Sequence, residues 1–164
     1  PTAMAPGTGG SCPGSRAAVF AVAPKRPTGE ADQGPRPSAL RHWPVQLHLV
    51  PPTAPFFSGA DVLLAADCVA YAVSGFHERF LAGRSLAIAC PKLDGHQEVY
   101  IEKLRLMAEQ GGVRSFEVMV MEVPCCTGLV RLVQTALNAS SRRVPATVTV
   151  VGTSGGLVGR RPLL

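Results

Sequence analysis

Five cysteines stand in this chain, at positions 12, 68, 90, 125 and 126, and two of them are adjacent in "EVPCCTG" (122–128). A thiolate is a nucleophile and a soft metal ligand, whereas a buried protonated thiol packs as a small hydrophobe. Position separates these roles. The number is odd, and 46% hydrophobic content is ample for a core in 164 residues. A secreted disulfide framework is therefore not expected, and a reducing cytoplasm is.

The elements that must hold these thiols follow from the apolar pattern. "VQLHLV" (45–50) alternates as a strand. "ADVLLAADC" (60–68), "SLAIAC" (85–90), "SFEVMVMEV" (115–123) and "ATVTVVG" (146–152) are continuous apolar runs. Such runs mark strands buried on both faces of a parallel sheet. Helices fall between them, at 75–83, 96–112 and 127–140. Val99, Leu104, Met107 and Ala108 share one side of the second, and Gly111–Gly112 stop it. Leu129, Leu132, Val133, Ala136 and Leu137 line the third, with Thr127 as its N-cap. The order predicts a doubly wound α/β domain, a mostly parallel sheet of about four to five strands with helices on both faces. Residues 1–44 read as a Gly/Pro-rich irregular lead with a short strand or turn near 17–22. Residues 45–152 read as the cysteine-bearing domain, and 153–164 as a flexible basic tail.

In this topology the carboxyl ends of parallel strands lie on one edge, where ligands bind. Cys68, Cys90 and the pair Cys125–Cys126 each follow or end a different strand, so three strands deliver thiols to that edge. Cys12, in the loop "GGSCPGS", can close over it. One buried cysteine at a strand end is usually packing. Four domain cysteines at carboxyl ends point instead to one site. Thiolates in this number suit zinc or an iron–sulfur cluster. Cys90-Pro91 has the form of a cluster-loop step, and the amides near Thr127 would favour thiolate. Lys92 could balance a cluster's charge.

Other candidates read as structure. His48 is a satisfied strand residue, His77 and Glu78 a solvated face, and Asp67 a strand end or a tuning group beside Cys68. "GTSGGLVG" (152–159) lacks the Gly-Lys-Ser/Thr ending of a phosphate loop. The net charge of +5 sits in the flanks, because residues 45–141 carry seven Lys/Arg against nine acids. No basic stripe with interleaved aromatics crosses the core, so nucleic-acid binding is not expected. No apolar run is long enough for a membrane span, and a secretory signal is not expected from the opening residues given.

The segments "CPGS", "WPVQLHLVPPTAPFF", "ADVLLAADCVAYA", "FHERFLAGRSLAIACPKLD", "YIEKL" and "MEVPCCTGLVRLVQTAL" resemble the carboxyl-terminal region of bacterial and archaeal ferredoxin-family iron–sulfur proteins, which bind 4Fe-4S clusters. The resemblance runs over residues 11 to 152. It implies a redox protein with a ferredoxin module of C-x₂-C-x₂-C type ahead of this region. The sequence given has no such segment, so it is expected to be a fragment lacking that module. Any cluster here would draw on Cys68, Cys90, Cys125, Cys126 and Cys12. The expectation is a 4Fe-4S electron-transfer protein serving a redox partner protein, not an enzyme in itself. The alternatives are a zinc–thiolate structural or assembly module and a thiol-based redox enzyme. No well-placed histidine base supports the enzyme.

Overall fold

The computed structural model describes residues 17–21 and 37–163. Ala18–Val19 (β1) pairs antiparallel with His42–Trp43 (β2). The main sheet is built from β3 (Asp61–Ala66), β4 (Ser85–Ala89), β5 (Ser115–Met121), β6 (Ala146–Val151) and β7 (Leu157–Pro162), in the order β4-β3-β5-β6-β7. The first four are parallel, and β7 is antiparallel to β6. The chain leaves β3 toward β4 through α1 (Val69–Ala72) and a π turn (His77–Leu81). It then recrosses to β5 through α2 (Gln97–Glu109) and on to β6 through α3 (Thr127–Ala139). Right-handed crossovers in these opposite directions place α1 on one face and the mutually packed α2 and α3 on the other. The expected doubly wound α/β fold is the observed one.

Its strands are apolar runs because both faces are covered. Five of the six β3 residues and six of the seven β5 residues are buried. In α3 all five expected residues are buried. In α2 the buried stripe is Tyr100, Leu104, Met107 and Ala108, while Val99 is 38% exposed. Tyr100 replaces Val99 because it lies four residues before Leu104, one full turn along the same side.

Four expectations change. The run 45–50 is not a strand. It makes one bridge, Gln46 to Ile88, and then turns, with the Leu49 and Val50 N–H groups donating to the Gln46 carbonyl. Leu47 and Val50 are buried three residues apart, the spacing of a turn and not of a strand. The folded unit also begins before residue 45. His42 is fully buried, and the Ala39 N–H donates to His77 Nδ1 at 3.1 Å, so His77 anchors this segment and is not merely a solvated face. The stretch 153–164 is not a flexible tail: its residues 157–162 form β7. Gly155, at φ 88°, makes the preceding turn and lies where any Cβ would collide with the Ala72 carbonyl oxygen. The side chains of β7 are all exposed, which leaves no apolar signal in the sequence. Finally, 75–83 holds one π turn, and α1 was not anticipated. The expected irregularity of 1–10 and of 24–36 lies outside the described residues; 37–40 carries no helix or strand.

Candidate thiol site at the carboxyl edge

The strand order reverses between β3 and β5, since β4 lies on one side of β3 and β5 on the other. A crevice at the carboxyl ends of such a pair is where doubly wound sheets bind ligands. Cys68 follows β3 directly before α1. Cys125 and Cys126 follow β5 in the 3₁₀ turn Pro124–Cys126 that leads into α3. Cys90 follows β4. All four described cysteines are free thiols on this edge. Cys12 lies outside the described residues.

The edge divides them into two groups. Cys68 and Cys125 are exposed, while Cys126 is 7% exposed and belongs to the core. Burial pushes the Cys126 thiol up, a hydrogen bond with the Met121 backbone opposes this, and the neighbouring Cys125 and Cys68 thiols add to the rise. Cys126 therefore lies within electrostatic reach of the thiols at the ends of both β3 and β5. No described cysteine occupies a mid-strand or mid-helix position, but the 3₁₀ turn swings Cys126 inward as Cys125 faces out.

Cys90 stands one strand away in a polar network. Its N–H donates to Asp94 Oδ2 at 2.7 Å, and the Tyr100 hydroxyl donates to the same oxygen at 2.6 Å. Gln46 Oε1 lies 3.3 Å from that hydroxyl. Burial, then the hydrogen bond to Asp94, pushes the Tyr100 phenol up, so it remains a donor. Asp67 reaches the same region. Its Oδ1 is buried without a hydrogen-bond partner, and burial followed by the Asp94 charge pushes its carboxyl up. The Cys90–Pro91 turn abuts α3, because a Cβ on Gly128 would lie 3.2 Å from the Pro91 Cβ.

Asp94, Tyr100 and Gln46 were not singled out in the sequence. The four-residue step from Cys90 to Asp94 was the available signal, since a short acid can accept from a backbone N–H within its own turn. Thr127 does not cap α3; its hydroxyl donates to the Pro124 carbonyl at 2.6 Å, and the cap position is Cys126. The amides of Cys126 and Thr127 are likewise occupied, by the Val123 and Pro124 carbonyls. The helix start therefore offers the thiols less than expected. Lys92 is exposed beside the edge. Lys103 is half-buried, and it donates to the carbonyls of Leu47 and Val50 at 3.0 Å each and also to that of His48. His48 itself is satisfied by the Gly95 carbonyl, 3.0 Å from Nε2, and by the Tyr100 ring.

The donor set has the chemistry that zinc or an iron–sulfur cluster takes. Its arrangement is not a closed cage: among the described residues, no group of three or more His, Cys, Asp or Glu is gathered to hold a metal ion. No helix among them is long and apolar enough to cross a membrane.

A family model described as a Rossmann-like domain matches residues 54–163. An uncharacterized protein of Archaeoglobus fulgidus is 30% identical over 118 residues, covering 72% of this chain and 82% of the relative. No solved structure matches the chain.

Proposed function

Because the chain belongs to the Rossmann-like domain family, we propose that its function lies at the carboxyl edge, as the thiol site of an iron–sulfur, ferredoxin-like electron-transfer protein. The observation that carries this reading is the delivery of four free thiols to one edge by three adjacent strands. The group proposed is a 4Fe-4S cluster. Its ligands would come from Cys68, Cys90, Cys125 and Cys126, with Cys12 as a further thiol, and its electrons would pass to a redox partner protein. The chain's own residues hold the thiols at strand ends, and at Cys90 the Asp94 carboxylate fixes the turn by accepting from the Cys90 N–H and the Tyr100 hydroxyl.

A second reading has its own observation. Cys68 and Cys125 are exposed free thiols at the ends of adjacent strands, and Cys126 is next to Cys125 in the chain, an arrangement that suits thiol–disulfide redox chemistry at the same place. Anaerobic purification with iron, sulfide and zinc analysis tests both. Iron with inorganic sulfide in stoichiometric amount supports the cluster. Zinc alone makes the edge a structural centre. Neither metal, with a disulfide formed on mild oxidation, leaves the thiol chemistry.

A further inference from the structure

The two outer edges of the main sheet differ. At β4, the Ile88 N–H donates to the Val45 carbonyl at 2.8 Å and the Leu86 N–H to His42 Nε2 at 3.0 Å, so residues 42–47 cover that edge. At the other edge β7 pairs only with β6 among the described residues, and all six of its residues are exposed. A bare strand edge is a template for an added strand.

The side chains of β7 specify what kind of strand. Arg160 is registered with Thr149 and Arg161 with Val148, which places the two arginines on opposite faces. On the Arg160 face lies a cleft of about 340 Å³ where Arg79, Arg84 and Arg160 surround a single acid, Glu117. Glu117 is buried and shared: it pairs with Arg84 at 2.8 Å and Arg160 at 3.4 Å and accepts from the Thr149 hydroxyl at 2.8 Å. Three guanidinium groups against one carboxylate leave this face positive. The other face carries a groove lined by Val120, Val130, Val148 and Val150, with one arginine, Arg161, and one acid, Glu122, on its wall. At the start of β7, Leu157 and Val158 are 50% and 55% exposed.

We propose that the β7 edge docks an extended segment of a partner protein by strand addition, its acidic residues facing the Arg79–Arg84–Arg160 cleft and its alternate apolar residues facing the valine groove. A second copy of this chain would bring the same arginines and repel. The chain's own residues 1–36 carry Arg16, Lys25, Arg26 and Arg36 against Glu30 and Asp32, the wrong sign for this face. Charge complementarity selects an acidic partner. The proposal is independent of the thiol chemistry.

The test uses the full chain and two short peptides, one alternating Glu with Val and the other Lys with Val. The acidic peptide should bind, slow hydrogen exchange at the outward β7 amides that do not pair with β6, and weaken as salt rises. The double variant Arg79→Ala/Arg160→Ala should lose about tenfold in affinity, two rim charge pairs' worth, with unchanged exchange in β5 as the check on folding. Equal binding of both peptides, or an unchanged affinity in the variant, overturns the proposal. So does protection, in the free chain, of the β7 amides that do not pair with β6, whether its own lead or a concentration-dependent dimer supplies it.

Discussion

At the scale of single residues, adjacent cysteines have been given opposite surroundings. The 3₁₀ turn after β5 leaves Cys125 exposed and folds Cys126 into the core, where burial favours the protonated thiol. A ligand must surrender its proton, so the exposed thiol is the better donor. Cys125→Ser should therefore abolish bound iron or zinc. Cys126→Ser should lower metal content less and cost stability instead, since a polar hydroxyl replaces a packed thiol. Metal analysis and urea midpoints on the two variants check this, and metal kept in Cys125→Ser but lost in Cys126→Ser reverses the assignment. A second residue carries a pH dependence. His42 is fully buried, accepts from the Leu86 N–H at Nε2, and directs Nδ1 to the Pro44 carbonyl at 3.2 Å. Those bonds define the neutral Nδ1–H form, and burial lowers its pKa to about 4, against the hydrogen bond to Pro44. The unfolded chain takes up this proton near pH 6.5 and the folded chain only near 4, so stability is full above 6.5 and falls as pH drops between them. The loss is on the order of 3 kcal/mol at pH 4. Urea unfolding at pH 7 and pH 4.5 should show it, and His42→Gln should flatten that part of the profile.

At the scale of elements, the β6–β7 hairpin is fastened at its turn. Gly155 has φ 88°, and the Ala72 carbonyl oxygen occupies the place a Cβ would take. A methyl group there meets backbone at the end of α1, which cannot swing aside as a long side chain would. Gly155→Ala should cost about 2 kcal/mol from the strained φ and the collision together. It should also speed hydrogen exchange in β7 more than in β3 or β5, because the turn holds the hairpin against α1. Exchange rates that rise equally in all three strands would place the damage elsewhere. The same reasoning explains why residues 157–162 escaped notice in the sequence. A strand with every side chain exposed has no alternation to read, and its existence depends on backbone pairing with β6.

At the scale of the whole molecule, the proposed site ties together the ends of β3, β4 and β5. A group bound there acts on the folded state alone and adds to its stability through mass action. Anaerobic reconstitution with iron and sulfide should thus raise the melting temperature of the wild-type chain. It should leave Cys68→Ser/Cys125→Ser unmoved, as followed by circular dichroism. An equal rise in both would mean that the metal binds elsewhere.

The residues that a sequence can decide are those whose role depends on local pattern. Continuous apolar runs determined the four parallel strands, and helical spacing in 127–140 determined the buried side of α3. Their order determined the doubly wound fold, and with it the placing of Cys68, Cys90, Cys125 and Cys126 on one edge. Tertiary structure decided what depends on contacts distant in the chain. It moved Cys126 inward, made His42 part of the β4 edge 44 residues away, and joined Asp94 and Tyr100 to the Cys90 turn. It also turned 45–50 into a bend and 157–162 into a strand. The physical reason is that periodicity records which face of an element meets apolar surroundings, whereas a hydrogen-bond partner or an edge pairing is chosen only once separate elements have been brought together.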